Sequence, residues 1–116
     1  MDFRQMDDKV WLYGQISPDD VEYIALRGFK GIICNRPDGE ADDQPDFDDI
    51  EDVAKTHDIP MAYIPYLNGL LTPKLLQKFS DAIDAIDGPV LLYCRSGRRC
   101  NILWDAVRGP NKILAE

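Results

Sequence analysis

The stretch that most constrains the fold is an apolar run that leads into a cysteine, Cys94. Residues 90–93 are all aliphatic or aromatic, as is typical of a strand buried on both faces of a sheet. After Cys94 come a glycine and three arginines within five positions, and then a helical pattern over residues 101–107. A buried strand that passes through a short loop into a helix is the building unit of α/β domains. The chain is therefore predicted to form a mainly parallel sheet with helices packed on it.

Strand and helix patterns alternate along the rest of the chain, as this fold class requires. Short apolar runs predict further strands, the first two of them paired as a hairpin. These runs lie at residues 3–6, 10–13, 31–35 and 61–65. Apolar residues recur at helical spacing in segments that open with a serine or threonine before proline, or with acidic residues. These segments cover residues 17–28, 46–57 and 72–86. The prediction is one α/β domain over residues 1–116, with three layers and a central sheet of four or five mainly parallel strands.

The overall charge excludes several classes of partner. The chain carries 13 Lys and Arg against 21 Asp and Glu, a formal net charge of -8, which argues against nucleic acid or an anionic membrane as a main partner. No apolar run approaches the roughly 18 residues of a membrane span. The first residues lack the features of a signal peptide, and three cysteines without a scaffold pattern fit a reducing cytoplasm, which is the predicted location.

Cys94 is placed to act as a thiolate nucleophile. Backbone N–H groups of the loop and the N-terminus of the following helix stabilise negative charge, and Arg95, Arg98 and Arg99 add positive charge. Together they are expected to lower the pKa of Cys94 into the range of about 4–7.5. Like charges so close together repel unless an anion compensates them. The loop is therefore predicted to bind an anionic substrate, although a cysteine at the end of a strand can also be a purely structural core residue.

Ligands of open α/β sheets bind at the carboxyl ends of the parallel strands. Three segments are predicted to meet at that edge, residues 35–39, residues 65–69 and the loop after Cys94. Arg36 is a candidate substrate-binding residue there, and the alternative is a structural pair with Asp38 or another acid. One histidine and dispersed cysteines provide no zinc-ligand spacing, so no metal or other cofactor is predicted.

The chain resembles a family of bacterial domains, formerly of unknown function, that occur alone or fused to β-lactamase-like hydrolases and are described as sulfurtransferase or phosphatase-like. The resemblance rests on motifs spread in order over nearly the whole chain. They are Tyr13-Gly14-Gln15-Ile16, Gly28-Phe29-Lys30-Gly31-Ile32-Ile33, Asn35-Arg36-Pro37-Asp38-Gly39-Glu40, Ile64-Pro65, Tyr93-Cys94-Arg95-Ser96-Gly97, Arg99 and Leu103-Trp104. The family fold is similar to that of dual-specificity protein tyrosine phosphatases, which implies a phosphotyrosine-protein-phosphatase-like architecture. The cysteine loop is similar to that of rhodaneses.

These two similarities imply different reactions, and the loop length helps to choose between them. Tyrosine phosphatases have five residues between the cysteine and the arginine, a spacing that leads here to Cys100, whereas Arg99 follows after four, as in thiosulfate-type rhodaneses. A phosphatase also needs a general acid, and residues 65–71 contain no carboxylate, so only Asp38 or Glu40 could supply one. Sulfur transfer needs no such acid. The chain is therefore predicted to be a sulfurtransferase.

In the predicted mechanism Cys94 attacks the sulfane sulfur of a small anionic donor, thiosulfate or glutathione persulfide. Arg99, with Arg95 or Arg98, holds the donor, and the backbone N–H groups from Arg95 through Ser96 and Gly97 to Arg99 stabilise the persulfide. A thiol, cyanide or sulfite then accepts the sulfur. The alternatives are a cysteine-dependent phosphatase, or a persulfide carrier that serves a metal-dependent sulfur dioxygenase, separate or fused.

Two loop positions depart from the family pattern. Arg98 stands where the family usually has threonine, and Cys100 where it usually has serine or threonine. Arg98 is predicted to bind substrate or simply to face solvent. Cys100 is a candidate resolving thiol for a Cys94 persulfide, or a plain substitution at the helix start.

Overall fold

The computed structural model describes residues 1–67 and 69–113. Within this part of the chain lie five strands and four α-helices, with a short 3-10 turn at Pro18–Asp20. The strands are β1 (Arg4–Gln5), β2 (Val10–Tyr13), β3 (Gly31–Cys34), β4 (Met61–Tyr63) and β5 (Val90–Tyr93). The helices are α1 (Val21–Leu26), α2 (Phe47–Thr56), α3 (Pro73–Ala85) and α4 (Arg98–Arg108).

The strands form one sheet in the order β1-β2-β5-β3-β4. Only β1 runs antiparallel to its neighbour, and the predicted N-terminal hairpin is β1 with β2. The last residue of β5, Tyr93, aligns with Tyr13 of β2 on one side and with Cys34 of β3 on the other. Cys94 therefore emerges at the carboxyl edge between the residues that follow β2 and β3. The predicted three-layer, mainly parallel α/β fold is confirmed.

Two apolar cores lie on opposite faces of the sheet. Helices α3 and α4 pack on one face, and α1 and α2 on the other. Residues of β5 alternate between them, and Cys94 directly after the strand continues the alternation: Leu92 and Cys94 lie in the α3/α4 core, and Leu91 and Tyr93 in the α1/α2 core. All four side chains are at most 1% exposed. Because both faces of β5 are covered, its sequence is a continuous apolar run rather than an alternating one.

The helix starts follow the local sequence closely, with one exception. The Thr72 hydroxyl accepts a hydrogen bond from the Leu75 N–H at 3.1 Å, and Asp20 accepts one from the Ser17 N–H at 2.8 Å. Helix α4, in contrast, begins at Arg98 rather than at the predicted residue 101. Gly97 has a φ of 91°, in the left-handed region that glycine tolerates, and this turns the chain directly from the loop into the helix.

Strand β4 is shorter than the predicted residues 61–65. It ends at Tyr63, at an edge of the sheet, and Pro65 cannot donate a backbone hydrogen bond to extend the ladder. Of the predicted ligand-binding segment at residues 65–69, Asn68 lies outside the described residues. Among the residues that are described, no helix has the length and apolarity needed to cross a membrane.

Candidate active site

Cys94 lies at the bottom of the loop that joins β5 to α4. It is 1% exposed, and its sulfur accepts a hydrogen bond from the Gly97 N–H at 3.1 Å. The left-handed conformation of Gly97 directs this N–H back toward the sulfur. The loop therefore forms a cradle of backbone donors around the cysteine.

Hydrogen bonds lower the pKa of Cys94 to about 5, from an ordinary value of 9.0. The largest contribution is the hydrogen bond from the Cys100 thiol, and the backbone N–H groups of Cys100, Ser96 and Arg99 add to it, while burial opposes them. Cys100 is itself fully buried, and burial, together with its hydrogen bond to Cys94, raises its pKa well above the ordinary value. At neutral pH Cys94 is thus a thiolate and Cys100 a neutral donor. The direction of the Cys94 shift agrees with the expectation from the loop sequence, but the main cause is a thiol donor rather than the arginines.

The residues that follow β2 hold the loop from one side. The Gln15 N–H donates to the Arg95 carbonyl at 3.2 Å. A Cβ atom added to Gly14 would lie only 2.9 Å from that carbonyl oxygen, closer than packed atoms tolerate. Only glycine at position 14 lets β2 approach the cysteine loop this closely. Residues 14–15 thus form a fourth segment of the site, which was not among the three predicted from the sequence. The feature of the sequence that could have indicated it is a glycine directly after a strand.

Arg99 is fixed by a carboxylate from the segment after β3. Its Nη1 and Nη2 atoms donate to Oε2 and Oε1 of Glu40 at 2.9 and 2.7 Å, in the bidentate geometry that arginine favours. Nη1 also donates to the Tyr66 carbonyl at 3.4 Å. Glu40 in the segment after β3 and Tyr66 in the segment after β4 therefore hold Arg99 in one orientation at the mouth of the loop.

Glu40 also binds a second arginine, Arg36. The Arg36 Nε atom donates to Glu40 Oε1 at 3.1 Å, and its Nη1 atom donates to Gln15 Oε1 at 2.8 Å. Arg36 is 5% exposed. The structural pair that the sequence left open for this arginine is thus formed with Glu40 rather than with Asp38, and the role of Arg36 in substrate binding stays a prediction.

Both carboxylates considered as general acids already accept hydrogen bonds from other groups of the protein. The hydrogen bond from Arg99, and then that from Arg36, lower the pKa of Glu40, which keeps it ionised at neutral pH. Asp38 accepts a hydrogen bond from the Phe47 N–H at 2.9 Å, at the start of α2. Glu40, one of the two acids that the sequence left open for this role, instead anchors Arg99.

Two clefts flank the cysteine loop. The first, about 620 Å³, is lined by Glu40, Leu67, Arg95, Ser96, Arg98 and Arg99. The second, about 460 Å³, is lined by Asp2, Arg4, Leu12, Tyr13, Gly14, Ser96, Gly97, Arg98 and Asn101. Arg95, Ser96 and Arg98 are exposed, and Arg98 borders both clefts. The structure thus brings together the predicted loop residues and leaves their side chains open to a ligand.

The cysteines form no metal centre within residues 1–67 and 69–113. No three His, Cys, Asp or Glu side chains in this part of the chain lie together as metal ligands would, and Cys34, Cys94 and Cys100 are free thiols. The chemistry that the site offers is nucleophilic attack by Cys94.

A buried cysteine in a loop between a central parallel strand and a helix, with an arginine at the loop's end, places the chain among phosphatase-like α/β domains. The chain belongs to the family described as the phosphatase-like domain of beta-lactamase hydrolase-like proteins, whose model matches residues 2–109. This confirms the family resemblance found in the sequence motifs.

The relatives agree with this assignment. A beta-lactamase hydrolase-like protein from Xylella fastidiosa (strain Temecula1) is 31% identical over 104 residues, which are 90% of this chain but 24% of that protein. The chain therefore spans about a quarter of the length of this curated relative. A crystal structure of a putative phosphatase from Neisseria meningitidis Z2491 has 33% identity and a TM-score of 0.82, and the match covers 92% of this chain and 76% of that chain. The catalytic domain of the PP-IP phosphatase SIW14 from S. cerevisiae, solved with citrate, shares the fold at 16% identity and a TM-score of 0.72, over 91% of this chain and 64% of that one.

Proposed function

We propose that this domain is a sulfurtransferase, which moves a sulfane sulfur from an anionic donor to a thiophilic acceptor through a persulfide on Cys94. The observation that carries the proposal is a strong nucleophile without an available proton donor. Among the described residues, Glu40 is the one carboxylate lining the cleft that contains Arg99, and two arginines keep it ionised. Sulfur transfer fits this arrangement because sulfite or a thiolate leaves without needing a proton.

In the first step the Cys94 thiolate attacks the outer sulfur of a donor such as thiosulfate. The new S–S bond forms as the sulfur–sulfur bond of the donor breaks, and the donor's electron pair leaves with sulfite. Arg99, oriented by Glu40, binds the anionic end of the donor. The Gly97 N–H and the neighbouring loop amides stabilise the persulfide anion.

In the second step the acceptor attacks the outer sulfur of the persulfide. Cyanide would leave as thiocyanate, and the electron pair of the broken S–S bond returns to Cys94 as its thiolate. No proton is needed in either step. Because its pKa is lowered, Cys94 is a thiolate nucleophile in the first step and a good leaving group in the second. The short spacing of four residues between Cys94 and Arg99 supports a small transferred group.

A cysteine-dependent phosphatase is the second candidate, and the family description and the fold of the solved relatives favour it. Here Cys94 would attack phosphorus, and the leaving group would depart without a general acid. Such chemistry suits leaving groups of low pKa, such as phenolates with electron-withdrawing substituents or phosphoanhydrides. The two candidates thus share the nucleophile and the arginine and differ in the group transferred.

A persulfide carrier is the third candidate. Because the chain spans 24% of the Xylella relative, the remaining length of such a protein would provide the partner, which we propose to be a metal-dependent sulfur dioxygenase, fused or separate. A carrier would form the Cys94 persulfide in a single turnover but would not cycle with small acceptors.

Parallel assays separate these candidates. Thiocyanate release from thiosulfate and cyanide, and phosphate release from p-nitrophenyl phosphate, are measured for the wild type and for Cys94→Ser. Cys34→Ser is the matched control, because Cys34 is also buried and a serine can keep its hydrogen bond to the Arg36 carbonyl, which is 3.3 Å long. Thiocyanate release that requires Cys94 supports the proposal. Phosphate release alone overturns it in favour of a phosphatase, and a stoichiometric persulfide without turnover indicates the carrier.

A further inference from the structure

The arginines divide into two groups according to whether their side chains have a partner. Four of them bind aromatic, amide or carboxylate groups of the protein: Arg27, Arg36, Arg99 and Arg108. The other three, Arg4, Arg95 and Arg98, have no side-chain partner among the described residues. All three line the clefts on either side of the Cys94 loop.

This placement is informative because the chain has an excess of acids. With 21 Asp and Glu against 13 Lys and Arg, carboxylates are abundant enough to pair every arginine. Guanidinium groups left unpaired in neighbouring positions repel one another and attract anions. The guanidinium groups that the protein leaves unpaired thus lie beside the loop that holds Cys94.

The second cleft has the composition of an anion site. Arg4 comes from β1 and Arg98 from the start of α4, so two separate elements each contribute a guanidinium group. Asn101 adds an amide, and Asp2 is the one acid that lines the cleft within residues 1–67 and 69–113. Planar guanidinium groups suit carboxylate, sulfonate and phosphate groups, each of which can accept two parallel hydrogen bonds.

The second cleft also shares residues with the loop around the reacting sulfur. Gly97, whose N–H contacts the Cys94 sulfur at 3.1 Å, lines this cleft, and Arg98 lines both clefts. A molecule that reacts at Cys94 can therefore extend over Gly97 toward Arg4. Thiosulfate is too small to occupy the reactive loop and this cleft together.

We propose that the Arg4–Arg98 cleft binds a second anionic group of the substrate, remote from the group that reacts at Cys94. This rests on the proposed function and specifies its substrate class: small organic donors with an additional carboxylate or a similar anion. Arg4 and Arg98 act as specificity-determining residues. The reaction itself is that given above, with the sulfur–sulfur bond of the donor broken and the Cys94 persulfide formed.

A matched pair of donors tests this proposal. Benzenethiosulfonate and 4-carboxybenzenethiosulfonate present the same reacting sulfur and similar sulfinate leaving groups, but the second has a carboxylate at its far end. We expect the wild type to prefer the carboxylated donor by about tenfold in kcat/KM, the equivalent of one good charged hydrogen-bonded contact. Arg4→Gln and Arg98→Gln should each reduce this preference several-fold. Arg27→Gln, which removes the same charge beside Phe3 and Tyr23, should leave it unchanged.

Equilibrium binding keeps the test independent of turnover. The affinities of benzenesulfinate and 4-carboxybenzenesulfinate are measured by calorimetry on the wild type and the same variants. Tighter binding of the carboxylated sulfinate by the wild type, lost in Arg4→Gln, supports the proposed cleft even if neither donor turns over. Failure of both donors to turn over would count against sulfur transfer, not against the cleft. Equal affinities, or a preference that Arg4→Gln and Arg98→Gln leave intact, overturn the proposal.

Discussion

Glu40 and Arg99, 59 residues apart in the sequence, are joined by two hydrogen bonds of 2.9 and 2.7 Å. The pair links the segment after β3 to the cysteine loop, and through Arg36 it extends into the protein interior. Glu40 thus connects the buried Arg36 with Arg99 at the mouth of the cysteine loop.

Removing the charge of Glu40 should impair both catalysis and stability. In Glu40→Gln, Arg99 loses its bidentate partner and the 5%-exposed Arg36 loses its counter-charge. We expect kcat/KM to fall about tenfold and the free energy of unfolding to fall by about 1–3 kcal/mol. Steady-state kinetics and urea denaturation measure the two effects. Glu22→Gln, at an exposed position of α1, is the control, and a Glu40→Gln variant as active and stable as this control would contradict the prediction.

The Cys100 thiol should control the ionisation of Cys94. Cys100→Ala removes the largest contribution to the lowered pKa of Cys94, so the pKa should rise above about 5. Cys100→Ser keeps a hydroxyl donor and should leave it low. The pH dependence of Cys94 alkylation by iodoacetamide, followed by mass spectrometry of the labelled peptide, gives the pKa in each variant. An unchanged midpoint in Cys100→Ala would show that the backbone amides suffice.

The same lowered pKa makes stability depend on pH. The folded-state pKa of Cys94 is about 5 and that of the free thiol 9.0, so between these values the unfolded state binds one more proton. Stabilisation by the thiolate is therefore complete above about pH 9 and is lost as the pH falls through about 5. Relative to Cys94→Ser, the free energy of unfolding of the wild type should rise with pH across this window, by at most about 1.4 kcal/mol per unit. Parallel curves for the two proteins would contradict the shift.

Cys100 should not resolve a Cys94 persulfide at neutral pH. Resolution would require the Cys100 thiolate to attack the inner sulfur, forming a Cys94–Cys100 disulfide and releasing HS⁻. Burial and the hydrogen bond to Cys94 raise the pKa of Cys100, so it stays protonated. Intact-mass analysis of persulfidated protein should show equal persulfide lifetimes in the wild type and in Cys100→Ser. A disulfide that forms rapidly in the wild type would instead establish the resolving role considered from the sequence.

Gly14→Ala should displace the cysteine loop from outside. The added methyl group would lie 2.9 Å from the Arg95 carbonyl oxygen, and the Gln15–Arg95 hydrogen bond adjoins the same contact. We expect a loss of about 1–3 kcal/mol in stability, typical of overpacking, together with a reduced rate of Cys94 alkylation. Full alkylation rate and wild-type stability in this variant would show that the loop adapts without cost.

The parts of the fold that the sequence could predict are those determined by local pattern. The order of strands and helices, the hairpin, and the cap at Thr72 follow from apolar spacing and from residues a few positions apart. The predicted start of α4 at residue 101 was too late. The left-handed turn at Gly97 lets the helix begin at Arg98, whereas the apolar spacing becomes recognisable only further along the chain. Family membership could also be predicted, because the motifs occur in order along the chain.

The sequence predicted the continuous part of the candidate site and the edge at which other segments meet it, but not the pairings between those segments. The loop from Cys94 to Arg99 is one segment, so its residues and their spacing could be recognised in the sequence. The pairing of Arg99 with Glu40 depends on how the segment after β3 crosses the edge of the sheet, and the contact between Gly14 and the loop depends on β2 lying beside β5. Strand order decides both relationships, and periodicity carries no information about strand order.

The central place of β5 has a consequence for how the molecule loses activity. Its neighbours β2 and β3 bind it on both sides, while β1 and β4 form the outer edges of the sheet. Local opening of a native protein begins where few hydrogen bonds must break. It should therefore open the outer strands β1 and β4 first and leave β5, which leads into Cys94, paired on both sides. Chemistry at Cys94 should therefore persist through fraying of the margins and end only when the whole sheet comes apart.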